Sequence, residues 1–64
     1  MERLRGFRKL KRLKQAEFAK IFNVTTQTIR NWETSTHKPN DETICKIAEY
    51  FNTSVDYLLG HDNS

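Results

Sequence analysis

The chain has 64 residues, a net charge of +3 and 30% charged residues. A chain of this length forms one small domain that buries only about 60% of its unfolded surface, which leaves no room for a deep catalytic cavity. The single cysteine, Cys45, excludes an internal disulfide and suits a reducing compartment.

The longest apolar run is Tyr57-Leu58-Leu59, far short of the ~18 residues of a membrane span. No basic-then-apolar leader opens the chain. A cytoplasmic domain without membrane partners is the expectation. Charge is graded along the chain. Residues 1–14 carry seven Lys/Arg against Glu2, a net +6; residues 15–38 carry +1; residues 39–64 carry −4, with Lys46 against five acids. A basic first half suggests a chain oriented toward a polyanion.

Taken in order, Leu4, Phe7, Leu10 and Leu13 recur every three residues and predict an amphipathic first helix with that stripe inward. Residues 15–22 are rich in helix formers, with Phe18, Ile21 and Phe22 on one face, and Asn23 follows where a left-handed cap residue belongs. The stretch NVTTQTIRNWE, residues 23–33, has the β-branched content of a strand. Its polar residues are nevertheless spaced for a helix over 26–33, with the Thr25 hydroxyl as N-cap and Ile29 and Trp32 inward.

Pro39 forbids helix just before residue 40, Asn40 caps the next start, and Ile44, Ile47, Ala48 and Phe51 form the inner stripe of a helix over 41–51. Cys45, beside that stripe, is expected to be half-buried. Phe51-Asn52-Thr53-Ser54 repeats the punctuation of Phe22-Asn23-Val24-Thr25. A last helix over 55–59 buries Val55 and Leu58 with Tyr57 or Leu59 and ends at Gly60, before a frayed tail at 61–64. The expected fold is all-α and compact, with five short helices.

A short helix, a tight turn at Asn23 and a second helix make a helix-turn-helix, spanning about 15–34. Gln27 and Asn31, four residues apart, lie opposite the buried side of the second helix, flanked by Thr28 and Arg30, with Thr26 at its tip. Amide and hydroxyl groups on an outer face differ from the Glu/Lys mixture of an ordinary solvated face. Asn and Gln pair bidentately with adenine, and Thr contacts base edges or a thymine methyl.

With these features in order, the sequence resembles the Cro/C1-type helix-turn-helix family, the lambda-repressor-like DNA-binding domain of phage repressors and many small bacterial regulators. The matching features are Gln15, Ala19 at the helix crossing, Val24, Thr28-Ile29, Trp32-Glu33, Pro39, Lys46-Ile47-Ala48 and Ser54 to Gly60. They extend from Leu4 to Gly60, so residues 1–60 are expected to form that one domain.

The resemblance implies that helix 26–33 lies in the major groove, with Thr26, Gln27, Thr28, Arg30 and Asn31 reading bases. It implies phosphate contacts from Gln15, Thr25, Lys14 and Lys38, and a structural ion pair between Arg8 and Glu33. Several positions depart from the family pattern. Asn23, Asn52, Ser35 and Arg12 stand where Gly is common, and Lys14 replaces the Ser or Thr that normally caps the second helix.

Trp32, Tyr50 and Tyr57 are expected at the core or its boundary rather than stacked on bases. His37 and His61 stand alone, without a second ligand at metal spacing. No carboxylate pair, Cys/His dyad or glycine-rich phosphate loop points to an enzyme, and no cofactor or small-molecule site is evident. The expected function is a sequence-specific double-stranded-DNA-binding repressor, acting at the nucleoid as a homodimer on a pseudo-palindromic operator. The rival reading is an antitoxin- or antirepressor-like interaction module whose acidic C-terminal half binds a partner protein.

Overall fold

The computed structural model describes residues 1–60, and these contain five helices and no strand. They are α1 Leu4–Leu10, α2 Gln15–Ile21, α3 Thr26–Glu33, α4 Asp41–Tyr50 and α5 Val55–Leu59. The tail at 61–64, expected to fray, lies outside the described residues.

Each helix supplies one fully buried anchor: Leu4, Phe18, Ile29, Ile47 and Leu58 are all 0% exposed. Around them pack Met1, Ala19, Trp32, Ile44, Ala48 and Phe51. Burying one such side chain is worth about 1.5–3 kcal/mol, so short helices unable to stand alone in water hold one another in place. Ala19 is 3% exposed.

Helix starts follow the local chemistry. The Thr25, Asn40 and Ser54 side chains accept hydrogen bonds from the backbone N–H of Thr28, Thr43 and Tyr57 at 3.1, 2.9 and 3.1 Å. Lys14 has no acceptor to offer. Its own N–H instead donates to the Glu17 carboxylate at 2.8 Å, half of a capping box.

The helix ends share one solution. Arg12, Asn23, Ser35 and Asn52 are all left-handed, with φ of 56°, 56°, 63° and 55°. In each case the next residue's N–H reaches back five positions: Leu13 to Arg8, Val24 to Ala19, Thr36 to Asn31 and Thr53 to Ala48, at 2.9–3.2 Å. That is the Schellman motif, which satisfies carbonyls the helix leaves orphaned. So the turn at Arg12, a non-glycine position with no obvious stop in the sequence, is the same turn that the two asparagines make. Gly60, with φ of 79°, closes α5 in the same region.

Three side chains depart from the expected pattern. Leu10 is 80% exposed and does not belong to the inner stripe of α1. A spacing of three retreats about 60° per step, which leaves Leu10 about 120° from Leu4. Arg8, about 40° from Leu4, takes the inward position instead, while Leu13 packs on the core from beyond the reversal at Arg12. Ile21, one such step of about 60° from Phe18, is 46% exposed. Cys45 is exposed rather than half-buried, because it lies about 100° from Ile44 on a flank of α4 outside the inner stripe. Tyr50 and Tyr57 lie at the boundary, each edge-on to a neighbouring phenylalanine ring.

Candidate nucleic-acid interface

α2 and α3, joined by the left-handed turn at Asn23, form the helix-turn-helix. Ile29 and Trp32 tie α3 to the core, so its remaining face is presented outward on a rigid base. Gln27 and Arg30 are exposed, while Thr26, Thr28 and Asn31 are half-buried.

The outer groups are organised before any ligand is present. Gln27 Nε2 donates to Asn31 Oδ1 at 3.0 Å, so the two amides face each other across one helical turn. The Thr25 and Thr28 hydroxyls share a hydrogen bond of 2.9 Å at the helix tip. Gln27 and Asn31 each retain donors and acceptors beyond the bond they share, and reading an adenine edge requires them to exchange it for base contacts.

Behind this face lies a hub on Glu33. Arg8 donates through Nε to Glu33 Oε2 at 2.5 Å and through Nη2 to Oε1 at 3.3 Å. Its Nη1 donates to the Leu13 carbonyl at 2.7 Å, pinning the turn after α1. The two side chains are 10% and 4% exposed, a buried ion pair. Gln15 Nε2 donates to the same carboxylate at 3.2 Å. The expected pairing of Arg8 with Glu33 is therefore present in the geometry, with Gln15 as a third member.

Beside the hub a cleft of about 550 Å³ opens between α1, α2 and α3, lined by Arg5, Lys14, Gln15, Arg30 and Thr34 along with the pair itself. Two of these, Arg5 and Thr34, had no place in the sequence reading. Arg5 stands three residues before Arg8 in α1, and that spacing is the signal that could have marked it. Arg30 shares this cleft with Lys14 and Gln15, on the side of α3 nearer α1.

The loop after α3 is pinned from an unexpected direction. The Met1 ammonium donates to the Trp32 carbonyl and, at 3.2 Å, to Ser35 Oγ. The Met1 side chain is 4% exposed. Burial pushes this amino group below its ordinary pKa of 8.0, against the pull of the Glu33 carboxylate. Lys38 is exposed in this loop next to the buried Pro39. No group of three His, Cys, Asp or Glu among the described residues is placed to hold a metal. None of the described helices is long and apolar enough to cross a membrane.

Five short helices, two of them a helix-turn-helix with a polar outer face, define a class, and the comparisons agree with it. The helix-turn-helix family matches residues 4–58, and the chain belongs to that family. It is 36% identical over 63 residues to the repressor protein C2 of Salmonella phage P22, covering 98% of this chain and 29% of the phage protein. It is 33% identical over 61 residues to the HTH-type transcriptional regulator ImmR of Bacillus subtilis (strain 168), covering 95% of this chain and 48% of that protein. The chain therefore spans less than half the length of either relative. No solved structure matches it.

Proposed function

We propose that this chain is a sequence-specific double-stranded-DNA-binding module of a transcriptional repressor. α3 enters the major groove, and Gln27, Asn31, Thr26 and Thr28 contact base edges. The observation that carries this reading is the paired Gln27–Asn31 amides, held outward on a helix whose inner side is anchored by Ile29 and Trp32. Two bidentate amides favour adenine, so A·T-containing half-sites are preferred over G·C.

Gln15, Lys14, Thr25 and Lys38 contact phosphates, and affinity falls steeply as salt rises, because each neutralised phosphate releases counterions. Two copies bind a pseudo-palindrome with half-site centres about 34 Å apart, one helical turn. DNA as the partner places the protein in the cytoplasm, at the nucleoid. The two relatives, a repressor and a transcriptional regulator, support this reading.

Selection from a random-sequence duplex pool tests it. The expected product is a motif of two inverted, A·T-containing half-sites. A pool that yields no motif would shift the reading to the protein-interaction module.

A further inference from the structure

The geometry points to Arg5 and Arg30 as the two walls of a phosphate clamp, with Lys14, in the cleft between α1, α2 and α3. The clamp rests on the DNA-binding reading above, and it assigns Arg30 to the sugar–phosphate backbone rather than to a base.

Besides Arg8, three cations from three different segments line this one cleft. Glu33, the only carboxylate in its lining, is already engaged by Arg8. The cleft therefore holds three positive charges, Arg5, Lys14 and Arg30, against no free negative one. Among the described residues none of the three has a carboxylate within ion-pair distance, whereas Lys46 on α4 is matched by Glu42 at 3.5 Å. Arg5, Lys14 and Arg30 are all exposed, so their charge serves no buried contact.

Three like charges gathered around about 550 Å³ repel one another, and a single anion between them relieves all three. The anion that fits is one phosphodiester of a duplex whose major groove holds α3, because Arg30 belongs to that same helix. Thr34, whose hydroxyl donates to the Arg30 carbonyl at 3.0 Å, keeps the last turn of α3 closed under the cleft.

Lys11 provides an internal contrast. It caps the C-terminal end of α1, but its Nζ is 4.9 Å from the Tyr50 ring centroid, over α4 and outside the cleft.

The test is the salt dependence of binding to a selected duplex, measured by fluorescence anisotropy for the chain and for Arg5→Gln, Arg5→Lys, Arg30→Gln and Lys11→Gln. The slope of log K against log [salt] is about −0.9 per neutralised phosphate. The clamp holds one phosphate, so Arg5→Gln and Arg30→Gln should each make the slope shallower, by at most about 0.9, and lower affinity equally for all sequences, with the selected motif unchanged. Arg5→Lys should restore the slope, and Lys11→Gln should leave it as it was. These sites are exposed, so unchanged melting temperatures confirm that the variants fold. An unchanged slope in Arg5→Gln, or a changed motif in Arg30→Gln, overturns the clamp while leaving the DNA-binding reading intact. A parent chain that binds no duplex at all overturns that reading, and the clamp with it.

Discussion

Arg8 reaches from α1 to Glu33 at the end of α3 and closes a 2.5 Å ion pair from which water is almost wholly excluded. The contact ties α1 to α3, and through Gln15 it ties in α2 as well. Removing one partner leaves the other charged and buried, which costs about 3–5 kcal/mol, while replacing both by apolar groups is often close to neutral. Arg8→Met is expected to lower stability by about 3 kcal/mol or more, a larger effect than on DNA affinity measured where the variant is folded. Arg8→Met/Glu33→Leu should recover most of the loss in urea denaturation. An Arg8→Met chain that folds normally but no longer binds DNA would remove the structural role.

Arg12 sits at φ 56° with no interaction among the described residues that explains its side chain there. A left-handed non-glycine residue costs about 1–2 kcal/mol, and glycine offsets part of this relief through its looser unfolded state. Arg12→Gly should therefore raise stability by about 0.5–1 kcal/mol. Ser35→Gly should gain less, because Ser35 Oγ also accepts from the Met1 ammonium. Urea midpoints with an unchanged m-value would verify both, and a destabilised Arg12→Gly would refute the backbone argument.

At Lys14, fold and binding pull in opposite directions. α2 lacks a side-chain cap because lysine cannot accept a hydrogen bond, although Glu17 already supplies the other half of a capping box. Lys14→Ser should complete the box and add about 0.5–1 kcal/mol of stability. The same change removes a charge proposed to contact a phosphate and should weaken DNA binding. Thermal melts and binding isotherms on one preparation would detect the two opposite shifts.

The five helices and their order were legible because punctuation and periodicity agreed. Thr25, Asn40 and Ser54 stood where caps belong, and Asn23 and Asn52 stood where left-handed residues belong. Leu10 misled because a spacing of three mimics a stripe over one turn and has drifted about 120° off it within the second. Arg12 and Ser35 carried no local signature, since their conformation is imposed by the chain's need to turn rather than by any preference of their own. The Arg5–Lys14–Arg30 cleft was hidden for another reason. Its cations come from three segments, and only tertiary packing reveals that they meet.

The amino terminus gives a pH signature. In a chain beginning with a free Met1 amino group, the folded pKa lies below 8.0 and the unfolded value at about 8.0. Between these values the unfolded state holds more protons than the folded one, so stability rises with pH across that window. Above about 8 the contribution levels off, and below the folded pKa the burial penalty is fully present. Subtracting the pH profile of the acetylated chain isolates this term, which should slope upward toward pH 8. A flat or downward difference would contradict the burial of that ammonium.

The central claim is that the Gln27–Asn31 pair reads sequence from the outer face of α3. Its most direct test is selection from a random duplex pool with the parent chain and with Gln27→Ala/Asn31→Ala side by side. The parent is predicted to enrich inverted, A·T-containing half-sites. The double variant, still folded because Ile29 and Trp32 anchor the helix, is predicted to lose the preference at the positions those amides read while keeping salt-dependent binding. Recovery of the same motif by the double variant would contradict the claim.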